Sequence, residues 1–178
     1  MARGGPPLNG ATPTLHTPRL RLDPLREIDA ESMTIVLADP ALHAFTGAEP
    51  LGAAALRQRF ARLTIGRSGD GTQLWHNWIV RIATDGTAVG TVQATVAADE
   101  PTAEVAWVIG VPWQGRGYAT EAAQALVAWL ESVGVTTITA HIHPDHEASA
   151  VVASRAGLSP TTELEDGERV WRRTMFPG

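Results

Sequence analysis

The chain has no cysteine. Disulfides, thiolate metal sites and a cysteine nucleophile are excluded by that absence alone. It has no lysine either, since all 14 basic residues are arginine. The phosphate loop of the Walker type, whose second glycine is followed by Lys and then Ser or Thr, is therefore ruled out. There is one tyrosine, Tyr118. No apolar run reaches the roughly 18 residues that crossing a membrane requires, so no membrane partner is expected. The opening stretch MARGGPPLNGATPT has no apolar leader segment and reads as a flexible tail over residues 1–14, ahead of a domain over 15–178. A cytoplasmic location is the matching expectation. Nineteen acidic residues against 14 arginines give a net charge of −5, which argues against a general nucleic-acid partner and mildly favours a cationic ligand. With 178 residues, 44% of them hydrophobic, the chain suits one domain with a sizeable core.

What is present is organised around the stretch from Ala103 to Ser132. Val105, Trp107, Ile109 and Val111 alternate with Ala106, Val108 and Gly110, and both sets are apolar or small, as in a strand covered on both faces. Pro112 lacks an amide hydrogen and stops the ladder. Gln114, Gly115, Arg116, Gly117, Tyr118, Ala119 and Thr120 come next, with two glycines that permit a sharp turn and close approach of a ligand. Ala119, Ala122, Ala123, Leu126, Val127 and Leu130 then fall at the spacing of a helix's buried stripe. A strand leading through a glycine turn into a helix makes an anion site, because the first helical amides have no internal partner and the macrodipole is positive there. A phosphate suits that site, and Arg116 can add a charge-assisted contact. The plainer alternative is a tight turn whose glycines serve geometry alone. The dinucleotide fingerprint is not met, for its third glycine is missing.

The rest of the chain yields a succession of short elements. Thr17 to Leu22 alternates apolar and charged residues and predicts a first strand. Asp29 is placed to cap a helix running to about Leu37, and Leu56, Phe60 and Leu63 mark a second helix ending near Gly66. Arg57, Arg59, Arg62 and Arg67 crowd that second helix and read as a solvated face. Leu74 to Ile82 and Thr87 to Val96 predict a hairpin turning at Asp85-Gly86. The cluster Trp75, His76, Asn77 and Trp78 in its first strand reads as core or edge packing, with an aromatic wall for a ligand as the alternative. Val135 to Ile142 is a β-branched run beside the glycine turn. Ala148 to Ala156 predicts a short helix closed by Gly157, and Thr161 to Leu164 with Arg169 to Met175 a last hairpin around Asp166-Gly167.

The spacing of Gln114, Gly117 and Ala119 inside QGRGYATEA matches the acetyl-CoA signature of the GCN5-related N-acetyltransferase (GNAT) superfamily. TPRLRLDPL, FTG at Phe45 to Gly47, AVGTV at Ala88 to Val92 and ASAVVASRAGL at Ala148 to Leu158 resemble family segments in the same order. The chain is most similar to the branch that includes the ribosomal-protein N-terminal acetyltransferases. The resemblance implies a single α/β domain, with a mixed, mostly antiparallel, curved sheet of six to seven strands and helices on both faces. It implies an acetyl-CoA-dependent N-acetyltransferase whose acceptor is a small-molecule amine or a protein N-terminus. No protein nucleophile is needed, because the amine attacks the thioester directly in a ternary complex.

On that resemblance Val108, Ile109 and Val111 offer main-chain groups to the cofactor, and Gln114, Gly115, Arg116, Gly117, Tyr118, Ala119 and Thr120 form its pyrophosphate loop. His146 stands where the family usually has an Asn that contacts the pantetheine arm, and it can donate there with altered reach. Glu104 is a candidate general base, as is His143 near a strand end, where imidazole titrates close to neutrality. The plainer readings are a strand-end glutamate and a polar edge residue. Ser149 matches the family's Ser and can assist the leaving thiolate. Many members use a Tyr as that acid; here the single Tyr lies in the loop, so the role passes to Ser149, His146 or water. No metal is expected, although His141, His143 and His146 resemble a three-imidazole ligand set and leave a metal-dependent enzyme as a lesser alternative. A non-catalytic acyl-CoA-binding regulator is the principal one. Self-association into a homodimer through the last strands is a further expectation.

Overall fold

The computed structural model describes residues 10–175. Eight strands form one sheet: β1 (Leu15–His16), β2 (Leu20–Pro24), β3 (Gln73–Ile82), β4 (Ala88–Ala97), β5 (Thr102–Ile109), β6 (Thr137–Ile142), β7 (Ser159–Glu165) and β8 (Glu168–Thr174), in the order β1-β2-β3-β4-β5-β6-β8-β7. Every neighbouring pair is antiparallel except β5 and β6. Four helices, α1 (Ala30–Val36), α2 (Ala53–Leu63), α3 (Tyr118–Ser132) and α4 (Glu147–Arg155), complete the fold. The tail expected over residues 1–14 lies, for residues 1–9, outside the described residues. Thr12 and Pro13 lie against β3: the Thr12 hydroxyl is 3.0 Å from His76 Nδ1, and Pro13 O accepts from Trp78 Nε1 at 2.6 Å.

The sheet has one strand more than the sequence suggests. Leu15–His16 folds back on β2 through the Thr17-Pro18 turn, where Leu20 donates to the Thr17 hydroxyl. Two residues are too few to announce a strand by alternation. The first long strand starts at Leu20 rather than Thr17 because Thr17 and Pro18 are taken up by that turn. The strand expected to run to Val111 stops at Ile109, and Val111 opens a short 3-10 turn, Val111–Trp113.

Alternation along the strands sorts the core into two layers. Trp78, Val92, Val105, Ile138 and Ala140 point to one face, where α3 covers them with Ala122, Ala123, Leu126, Val127 and Leu130. This is the stripe read from the sequence, widened by Trp129. Ile79 and Ala88 point to the other face, beneath Met33 and Val36 of α1 and Leu56 and Phe60 of α2. Asp29 precedes α1, but its side chain makes no capping bond there. The buried carboxylate instead accepts from Arg26 N at 2.8 Å and from Arg81 Nη2 at 2.8 Å, tying α1 to β3. A buried carboxylate gains more from a guanidinium than from one amide. Both glycine-marked hairpins form, with Gly86 at φ 75° and Asp166 and Gly167 at φ 50° and 84°. Among the described residues no helix is long and apolar enough to cross a membrane.

The β4–β5 contact is tight at Gly90, which pairs with Ile109; a Cβ there would overlap the Val108 carbonyl oxygen and press on the Ile109 side chain. Because the obstacle is backbone, Gly90→Ala is expected to destabilise the fold by about 2 kcal/mol or more. That lowers the melting midpoint by at least about 4 °C for a domain of this size, read by thermal denaturation of the two proteins side by side.

Candidate functional site

The sheet opens at its one parallel pair. β5 and β6 share only three register pairs, Thr102 with Thr137, Ala103 with Ile138 and Glu104 with Thr139. Over their whole lengths β5 is held to β4 by seven pairs and β6 to β8 by six, and beyond the shared stretch each stays with that partner alone. From Val105 to Ile109 the edge of β5 that faces β6 therefore has no ladder partner. Val108 and Ile109 lie on this edge and Val111 just past it. The Ile109 carbonyl is occupied, accepting from Gln114 Nε2 at 2.9 Å. That bond turns the Gln114 side chain inward and seats the loop against the end of β5.

The loop leads into α3 with Gly115 at φ 73° and Gly117, the N-cap residue, at φ 80°. No side chain caps the helix, and its first internal bond runs from Glu121 N to Gly117 O. The amides of Tyr118, Ala119 and Thr120 thus face outward with the positive end of a 15-residue helix behind them. Nothing lies within 4 Å of where a Cβ on Gly115 would sit, so a bulky anion can come close to the backbone. The loop fits a diphosphate. Arg116 folds its guanidinium back to Pro112 O at 3.4 Å.

A clamp from the segment just before β2 holds this turn. The Glu121 carboxylate accepts from the Thr17 hydroxyl at 2.6 Å, from Arg19 N at 2.9 Å and from Arg19 Nε at 2.6 Å. Arg19 also donates to Arg116 O at 2.9 Å and lies 5.0 Å above the Tyr118 ring. Burial alone would raise the Glu121 carboxyl, but the bonds from Thr17 and Arg19 outweigh it and hold its pKa below the ordinary value. In the sequence Glu121 is marked only as an acid in a helix's first turn; its partners lie a hundred residues earlier in the chain.

Glu104 is the last residue of β5 paired to β6, so it stands at the apex of the opening, on the face that α1 and α2 cover. Its carboxylate lies 3.2 Å from His141 Nδ1, while His141 Nε2 lies 3.2 Å from Glu165 of the last hairpin. These three residues, with Gln73, Thr95 and Arg172, line a cavity of about 300 Å³. Glu104 is 55% exposed, so a ligand in that cavity reaches it. From sequence alone His141 is only one of three imidazoles, and no local signal singles out Glu165.

The other two imidazoles lie apart from it, at the end of β6 and the start of α4. Phe45 stacks on His146, with ring centroids 4.4 Å apart, and lies 5.2 Å from His143, so the chain between α1 and α2 crosses to α4. His143 Nδ1 accepts from Asp145 N at 3.2 Å. Burial, and then the neighbouring His143, lower the His146 pKa, which favours the neutral imidazole. Ser149 sits half-buried in the first turn of α4. Among the described residues no group of three or more His, Asp and Glu is placed to hold a metal ion. The structure thus brings Glu104 to the apex, the residues from Gln114 to Thr120 to the helix end, and His143, His146 and Ser149 to the far wall.

Residues 19–159 match the family model described as acetyltransferase (GNAT) domain. Comparison with curated proteins gives no match. Among solved structures the chain is similar to an acetyltransferase from Agrobacterium tumefaciens, at 25% identity over 97% of this chain and 100% of that one, with a TM-score of 0.73. It is similar in fold to Mycobacterium smegmatis RimJ in complex with CoA-disulfide, at 18% identity over 92% of this chain and 88% of that one, TM-score 0.73. The same holds for RimL, a ribosomal L7/L12 α-N-protein acetyltransferase in complex with coenzyme A, at 14% identity over 92% and 98%, TM-score 0.75.

The clamp has a testable acid limb. A carboxyl whose folded pKa is depressed stabilises fully above its unfolded value, about 4.3, and loses that contribution as pH falls through the lower folded value. Glu121→Gln is expected to lower stability at pH 7 by about 1–2 kcal/mol, kept modest by the half-exposed Arg19. The gap to the native protein then narrows below about pH 4, as read from denaturation curves between pH 3 and 8.

Proposed function

The chain belongs to the GNAT acetyltransferase family, and from that premise we propose that it transfers the acetyl group of acetyl-CoA to a primary amine by direct attack. The observation that carries the proposal is the alignment of the opened β5–β6 pair with the uncapped start of α3. The diphosphate of acetyl-CoA sits on the amides from Gly115 to Thr120. Its pantetheine arm enters the opening and pairs with free main-chain groups of β5, the role given to Val108, Ile109 and Val111. The thioester then reaches the apex near Glu104, and the amine arrives from the α1–α2 face.

Attack requires an uncharged amine, a donor for the developing oxyanion and a proton or dipole for the leaving thiolate. In our reading Glu104 takes the amine proton, directly or through one water, with His141 orienting its carboxylate. His143 is the weaker candidate, for its Nδ1 lone pair is engaged by Asp145 N. The thiolate leaves toward the start of α4. There the Ser149 hydroxyl and the neutral His146 imidazole can donate to it, and the helix's positive end favours the charge. The acceptor is a small amine or a peptide N-terminus, and the acidic cavity lining favours either as a cation before deprotonation. An ordinary intracellular setting accords with such a donor.

Acetyl-CoA and CoA are both expected to raise the melting midpoint, by mass action on the native state, while NAD does not. No shift with either would overturn the assignment of the loop. Glu104→Gln is expected to keep that shift and to lower kcat by about a hundredfold, the scale of general-base catalysis, measured as thiol release with an amine acceptor.

A further inference from the structure

On one side of the acceptor face lies a positive rim on an otherwise acidic protein. α2 contains three arginines and no acid, and Arg67 stands in the next loop. Arg57 stands 4.0 Å from Glu27, but Arg59, Arg62 and Arg67 have no ion-pair or side-chain hydrogen-bond partner among the described residues. Arg62 and Arg67 border a cavity of about 410 Å³ with exposed Ile65 and half-buried Trp75. One acid, Asp70, borders it too. Its carboxylate is turned onto the Ser68 hydroxyl and the Thr72 amide and hydroxyl, which hold its pKa down at about 2.

This cavity adjoins the one at the apex. Trp75 pairs with Thr95 and Thr95 with Glu104, so all three share one row and one face of the sheet. Trp75 Nε1 donates to Gln73 Oε1 at 3.3 Å, and Gln73 lines the Glu104 cavity. Two strand spacings separate the Trp75 and Glu104 backbones by about 10 Å. An extended peptide advances about 3.3 Å per residue, so it passes Trp75 at about its third residue.

We infer that the acceptor is a polypeptide whose N-terminal amine enters the acidic cavity at Glu104 and Glu165, and whose acidic side chains at about positions three to five are held by Arg62 and Arg67. This rests on the acetyl-transfer reading of the site. The arrangement is bipolar: carboxylates receive the cationic terminus, and guanidiniums, which pair well with carboxylates in two-point contacts, receive the acidic residues behind it. A small polycationic metabolite would meet repulsion at the rim. Nucleic acid is the lesser fit, for the rim is short and borders a cavity built for an amine.

The test uses acetylated-product assays on peptides that share their first two residues and carry Asp, Ser or Arg at positions three to five. The expected order of kcat/KM is acidic, neutral, basic, with each arginine contributing up to about fivefold and the spread shrinking with salt. Arg62→Glu with Arg67→Glu should invert the order while leaving transfer to a small amine unchanged, because neither side chain touches the reacting groups. An unchanged order in that variant would overturn the inference. If no amine of any kind is acetylated, the catalytic reading fails. The rim is then judged alone by anisotropy of a labelled acidic peptide, whose binding the double variant must lose. Stronger competition from a single-stranded oligonucleotide than from unlabelled acidic peptide would also overturn it.

Discussion

The architecture depends on a conflict between two ladders. β5 is committed to β4 through seven pairs and β6 to β8 through six, and the central sheet can satisfy both only by parting them after three shared pairs. Main-chain groups with no partner must find water or a ligand. An open slot of this kind therefore arises from pairing preference elsewhere in the sheet and needs no special side chain inside it. The loop after β5 and the turn before α4 then diverge to the two sides of the slot, which places a helix N-terminus on each.

Charge is distributed to match. The start of α3 keeps its outward amides free because the acid in its first turn is spent on Thr17 and Arg19, sideways to the helix axis. The apex carries carboxylates at both nitrogens of one imidazole, and the rim beyond Trp75 carries guanidiniums without counterions among the described residues. A net charge of −5 hides this separation, since composition reports the sum of charges and not their layout.

Much of this is legible in the sequence where a local rule applies. The stripe of α3, the glycine turn and both Asp-Gly hairpins follow from periodicity and positive-φ chemistry, and they appear where expected. Partners chosen across the fold are not legible. Asp29 has the position of a helix cap, yet its carboxylate goes to Arg81, a strand residue that only the β2–β3 register brings near. His141 has the spacing of a histidine trio, but it faces Glu104 and Glu165 while His143 and His146 lie beneath Phe45. Strand register decides such pairings, and a one-residue slip would reverse each of them. The glycine loop before α3 is the exception among these elements because its residues are contiguous.

The cations around this slot are all guanidiniums: Arg116 in the loop, Arg172 on the wall of the apex cavity, Arg62 and Arg67 on the rim. A lysine at any of these places would titrate and present a neutral amine beside an activated thioester. An arginine remains protonated and has no lone pair to offer. These guanidiniums are thus inert toward an acyl donor held beside them, and proximity alone cannot acylate their side chains.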